Sequence, residues 1–281
     1  MENEKQGEED GDDFNAFKYT PDEDDEFFRV LISRELTSSS LSMITSQWIV
    51  NARLDSIKWI FNAMRLMGFQ LRTAYLSVIY FDKFLSRRMI DNEKYWAVRL
   101  LSVACLSLAA KMEECEVPLL VDFPMKDYCF EGKVIQRMEV LVLNTLEWEM
   151  NLITPFHYFD YLVSKFWNEN PPGDVVPMDL VFAIIKDAKL MSYRCSVIAA
   201  AATLLTVDEK LTRQSLETKI KTFDSGVFET EDVFRCYTQM QELSLDRTNL
   251  TPVQCIGDDV DANSSFTPVV NTKRKRLEFD D

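Results

Sequence analysis

Residues 100–110, LLSVACLSLAA, carry no charge on any side, and the chain then turns abruptly polar at Lys111, Glu113 and Glu114. Leu and Ala favour helix, and a helix that is apolar all round has to be enclosed by other elements. Its small residues, Ser102, Ala104, Ser107 and Ala109, let neighbouring helices approach closely. Some twenty residues on, a second run, IQRMEVLVLNTLEW over 135–148, places Glu139 within an otherwise apolar helix face. A buried helix with an ammonium at its mouth, near a second helix with a lone carboxylate, points to a docking surface rather than a catalytic cleft.

The pattern around these two runs is helical throughout. Gly and Pro are scarce, and long Leu/Met/Ala runs recur at helical spacing, which predicts an all-α fold. Helices are expected over 49–67, ending on Gly68 as a C-cap, and over 71–87, 93–112 and 133–146. A short helix after Pro118 brings the first bundle to five. An extended linker over 149–155 ends at Pro155, because a residue before proline avoids helix. A second five-helix bundle follows, over 155–167, 178–191, 196–209, 212–221 and 229–245. The small, uncharged run at Ser196-Val197-Ile198 echoes Ser102-Val103-Ala104, and each run is third of five in its bundle. That is the pattern of a duplicated unit around a central helix. Leu205 stands in the second copy where the first has Lys111, so only the first keeps the charged feature.

The domain reading is therefore an acidic disordered tail over 1–25, an apolar helix and Ser-rich connector over 26–48, bundles over 49–150 and 151–248, and a disordered tail over 249–281. The net charge is −15, and residues 1–28 hold twelve carboxylates against two lysines, so most of the excess lies in the leader. An acidic chain is repelled by phosphate backbones, which argues against nucleic acid or an anionic membrane as partner. The longest uncharged apolar run falls short of the ~20 residues of a membrane span. Six cysteines without CxxC spacing read as reduced thiols, and the chain is expected to be soluble and intracellular.

Chemistry is sparse. The one histidine, His157, begins a predicted helix among aromatics and reads as a packing or capping residue. Seven scattered glycines supply no phosphate loop, and no HExxH, GxSxG or metal-spaced Cys/His set occurs. The carboxylate pair Glu113/Glu114 reads as solvated at a helix end. No catalytic residue, metal or cofactor is expected.

Three motifs carry a resemblance. LAAKMEE, RMEVLVLNTLEW and the upstream FDKFLS stand in the order and approximate spacing of the cyclin box, in the form found in plant D-type cyclins, over roughly 53–245. The resemblance implies two tandem cyclin-box bundles and a non-catalytic regulatory subunit that forms a heterodimer with a cyclin-dependent Ser/Thr kinase and activates it at G1/S. It implies that Lys111 and Glu139 contact the kinase, with Leu108, Met112 and Trp148 as apolar contacts beside them. On their residues alone, Lys111 and Glu139 read equally as an intramolecular bridge, and plain core is the alternative reading of the three apolar residues. Arg53 and Asp82 match an ion pair joining the first two helices of the box.

Two departures from the family stand out. No cysteine precedes Cys105, so the LxCxE motif that recruits retinoblastoma-type proteins is absent. The substrate-docking patch, apolar in many cyclins, corresponds here to Ala52, Asp55, Ser56 and Trp59, and is expected to be weak. Kinase inhibitors are further expected partners. Lys273, Arg274, Lys275 and Arg276 resemble a nuclear import signal, which implies a nuclear protein with a cytoplasmic pool. Thr20-Pro21, Thr251-Pro252 and Thr267-Pro268 are candidate sites for proline-directed kinases. A cyclin-fold transcription factor and a non-activating kinase adaptor are the alternative functions.

Overall fold

A computed structural model describes residues 21–37, 47–91, 94–124, 128–167, 176, 178–223 and 227–248. Among them are ten α-helices, two single 3-10 turns and no strand. The acidic residues before Pro21, most of the Ser-rich connector and the C-terminal segment with Lys273, Arg274, Lys275 and Arg276 lie outside the described residues.

The first bundle consists of α2 (Gln47–Met67), α3 (Leu71–Arg87), α4 (Tyr95–Glu113) and α5 (Gly132–Thr145). The helix expected after Pro118 is only a 3-10 turn, Leu120–Asp122. The five residues from Leu119 to Phe123, confined between Pro118 and Pro124, are too few to nucleate an α-helix. Gly68, at φ +70°, stops α2 in the left-handed conformation, and Phe69 N donates back to Met64 O at 3.0 Å. The central helix is α4, which packs against α2, α3 and α5. Eleven of its consecutive residues, from Leu100 to Ala110, are buried. By length and composition α4 could cross a membrane, but most of it lies inside the bundle.

The second bundle comprises α6 (Phe156–Phe166), α7 (Met178–Lys186), α8 (Cys195–Val207), α9 (Arg213–Ile220) and α10 (Thr230–Thr248). Its central helix is α8, packed between α6 and α10. The helix expected over 178–191 breaks at Asp187, whose carboxylate accepts from the backbone N–H groups of Lys189 and Leu190. A 3-10 turn, Leu190–Ser192, follows.

The apolar core does not respect the duplication. One cluster lies within the first bundle, around Leu76, Tyr80, Phe81, Leu101, Cys105 and Leu108. The larger one runs from α2 and α3 of the first bundle through α6 to α10 of the second. Phe61 and Phe182 meet edge to face across the join at 4.7 Å, as do Tyr75 and Phe156 at 5.6 Å. The two bundles are thus one packed body.

The N-terminal helix α1 (Pro21–Thr37) begins earlier than the acidic tail was expected to end. Proline suits the first helical position because its missing N–H would have no partner there. Phe28, Leu31, Ile32 and Glu35, at helical spacing, are buried, whereas Phe27 and Val30 of the same apolar segment are exposed. The buried face lies on the second bundle. Phe28 stacks on Tyr161 at 4.2 Å, Asp25 pairs with Lys165 at 2.8 Å, and Glu35 accepts from Ser196 N at the start of α8 at 3.0 Å.

A buried ion pair locks the arrangement. Arg53 on α2 donates Nε and Nη2 to the two carboxylate oxygens of Asp82 on α3, each at 2.7 Å. The sequence placed this pair between two helices; the structure adds a third, because Nη2 also donates to Ile185 O on α7 at 2.9 Å. Stranding one member in the interior costs about 3–5 kcal/mol. Arg53→Met should therefore lower the urea-unfolding free energy by that amount, and probes in both bundles should report the same loss because the guanidinium ties them together.

Candidate functional site

The candidate site lies where α4 leaves the core. Three charges at its exit each tie α4 to a neighbouring helix. Lys111 Nζ donates to Glu139 Oε1 on α5 at 2.6 Å. Glu113 pairs with Arg72 on α3 at 3.3 Å. Glu114 accepts from Gln70 N at 2.7 Å and Thr73 Oγ1 at 2.5 Å, so it caps the first turn of α3. Glu113 and Glu114 are therefore joints between helices rather than solvated end charges. Their partners lie some forty residues upstream, and no local spacing announces them.

The intramolecular bridge between Lys111 and Glu139 is real, and it is asymmetric. The side chain of Glu139 is 8% exposed and that of Lys111 is 43% exposed. Ser107, one turn before Lys111, donates its hydroxyl to the same Glu139 oxygen at 2.6 Å. The carboxylate is thus fixed from below, and it holds the ammonium in place at the rim. An ammonium has three N–H donors, so Lys111 keeps donors for an incoming acceptor while paired. Ser107 was read from the sequence only as a small packing residue.

The apolar candidates divide. Leu108 is buried within the first-bundle cluster and serves as core. Met112 is 48% exposed and Trp148 64% exposed, each presenting a large apolar group to solvent. Trp148 lies just past the C-terminus of α5, in a turn where Glu147 (φ +55°) and Trp148 (φ +63°) are both left-handed. This conformation costs a non-glycine residue about 1–2 kcal/mol.

The substrate-docking positions do not form one surface. Ala52 and Ser56 are buried where α2 crosses the core, and Ser56 Oγ bonds back to Ala52 O at 2.8 Å. Only Asp55 and Trp59 reach solvent. The Trp59 indole donates to Pro124 O at 3.0 Å, and the Arg99 guanidinium covers its ring at 5.1 Å. Small residues at 52 and 56 were a packing signal that was read as a surface.

His157 is a capping residue. Its Nδ1 accepts from Thr154 N at 3.1 Å at the turn into α6. Among the described residues no group of three His, Cys, Asp or Glu side chains is arranged to hold a metal ion. The five described cysteines are free thiols, and burial raises the pKa of Cys105, Cys195 and Cys236.

Comparison with known families accounts for this whole architecture. Residues 26–151 match the family described as "Cyclin, N-terminal domain", and residues 153–256 match "Cyclin, C-terminal domain". The chain belongs to the cyclin family. Cyclins are non-catalytic regulatory subunits. This cyclin is 38% identical to Cyclin-D5-1 of Arabidopsis thaliana, over 94% of its own length and 84% of that protein's. It is 40% identical to Cyclin-D5-1 of Oryza sativa subsp. japonica over 69% of its length and 55% of the other's. With Cyclin-D3-1 of Arabidopsis thaliana the identity is 34%, over 81% and 61%. Its fold matches that of a viral cyclin from Herpesvirus saimiri, with a TM-score of 0.60 at 15% identity, over 76% of this chain and 95% of that one. A chain in the CAK complex of Chaetomium thermophilum bound to ATP-gamma-S matches with a TM-score of 0.53 at 12% identity, over 84% and 80%.

The asymmetry of the bridge gives a stability test. Lys111→Ala leaves Glu139 buried without its counter-ion, and the chain should lose about 1–3 kcal/mol. Removing both groups leaves no buried charge to satisfy, so Lys111→Ala with Glu139→Ala should melt closer to the parent than Lys111→Ala alone does. Thermal melts of the three proteins check the order.

Proposed function

We propose that this cyclin binds a cyclin-dependent Ser/Thr kinase through the α4–α5 rim and activates it, promoting entry into the cell cycle at G1/S. The observation that carries the reading is the half-exposed Lys111, oriented by the buried Glu139 and Ser107. Met112 follows it in the chain, and Trp148 stands at the end of the helix that holds Glu139. A charged donor set in a rigid frame, with an aromatic just past the end of one of the same helices, has the make-up of an interface hot spot. The D-type relatives support the kinase as the partner.

Activation follows from rigidity. A kinase transfers phosphate efficiently only when its regulatory-helix Glu is paired with the strand Lys and its activation loop is ordered. A bundle complementary to that arrangement alone shifts the population toward it. Moving the balance from mostly off to mostly on takes about 5.5 kcal/mol of differential binding, which an interface of roughly 2,000 Å² or more can supply. The basic cluster Lys273, Arg274, Lys275 and Arg276 supports nuclear import. Without LxCxE, any retinoblastoma-related partner is reached by another route.

Lys111→Ala with Glu139→Ala should abolish co-purification of a plant cyclin-dependent kinase while circular dichroism still reports the parent's helicity. Undiminished co-purification would refute the site. The parent complex should phosphorylate a peptide substrate far faster than the free kinase; a complex that forms without that gain would identify an adaptor instead.

A further inference from the structure

The end of α5 carries a second device. Glu147 N donates to Asn144 O at 3.2 Å and Trp148 N to Leu143 O at 2.9 Å. This two-bond helix stop is usually closed by glycine, as Gly68 closes α2. Here two consecutive residues with side chains, Glu147 and Trp148, take the left-handed conformation, which persists only when the surroundings impose it.

Two side chains from α3 do so. Arg87 Nη1 donates to Thr145 O in the last turn of α5 at 2.7 Å and to Glu147 Oε1 at 3.3 Å. On the far side of the turn, the buried Tyr80 donates its hydroxyl to Met150 O at 2.6 Å. Residues 80 and 87 are seven apart, two helical turns on one face of α3, so they bracket the six residues from Thr145 to Met150. Within the bracket, Trp148 Nε1 donates to Asn144 Oδ1 at 3.2 Å, and the indole stays largely in solvent. An arginine suits the task because its Nη1, at the end of a long side chain, carries two N–H donors and serves the carbonyl and the carboxylate together.

We infer that Arg87, assisted by Tyr80, is a positioning residue for the kinase-docking face. It holds the Glu147–Trp148 turn left-handed and keeps the indole presented before the partner arrives. The inference rests on the docking reading proposed above.

The test is a double-mutant cycle on affinity for a purified plant cyclin-dependent kinase, with Arg87→Met, Trp148→Ala and their combination, alongside the Lys111→Ala/Glu139→Ala protein. Arg87→Met should weaken binding about tenfold, and the double variant should bind no worse than Trp148→Ala alone, because Arg87 acts through Trp148. Glu147→Gly separates positioning from plain stability. Glycine takes the left-handed conformation without strain, so adding Glu147→Gly to Arg87→Met should restore most of the affinity that Arg87→Met loses, whereas a merely structural role for Arg87 would leave that loss in place. Additive losses in the cycle, or an Arg87→Met/Glu147→Gly protein that binds no better than Arg87→Met, would overturn the inference. A Trp148→Ala protein that binds normally would overturn it too, while loss of binding by the Lys111/Glu139 variant would still uphold the docking reading. Should Arg87→Met fold poorly, Arg87→Gln, whose side chain is two atoms shorter and stops short of the Thr145 carbonyl, takes its place with the same expectations.

Discussion

A guanidinium nearly shut off from water needs hydrogen-bond partners inside the protein, and that demand on Arg53 organises this molecule. Its fork closes on Asp82 through Nε and Nη2, and the same Nη2 also reaches the carbonyl of Ile185. The angle between α2 and α3 and the seat of α7 are thereby settled at one point. No apolar contact could do the same, since apolar surfaces slide where bidentate hydrogen bonds do not. The groove that receives α4 is shaped by α2 and α3, so the position at which α4 emerges with Lys111 follows from the same junction.

The exit of α4 repeats that logic with smaller stakes. Glu139 is buried, Ser107 and Lys111 satisfy it, and Lys111 alone reaches solvent. A buried acceptor holding a half-exposed donor loses little flexibility when a partner arrives, because the lysine has already given up much of its rotamer freedom. Glu113 and Glu114 fasten the same end of α4 to the start of α3. The rim is therefore stiff in three directions, as the proposed selection of one kinase conformation requires.

Much of this was legible in the sequence, and the failures share a cause. The span of α3 was read correctly at both ends, because Gly68 stops the helix before it and its own apolar spacing is strict. The central burial of α4 and α8 followed from uncharged small-residue runs. What escaped was long-range pairing. Glu114 meets Gln70, Arg87 meets Thr145 and Glu35 meets Ser196, across gaps that leave no periodic trace. Ala52 and Ser56 were assigned to a surface by family position, although small residues on a helix equally mark a close crossing, which is their role here. Leu108 lies in the core for the same reason that its helix was predicted to be buried.

Hydrogen–deuterium exchange on the chain alone and mixed with an excess of a cyclin-dependent kinase tests the central claim most directly. The account predicts slowed exchange at the α4 exit, along α5 and through the turn that bears Trp148, with α9 and α10 unchanged. Protection confined to the second bundle, with the α4–α5 rim exchanging as in the free chain, would contradict it.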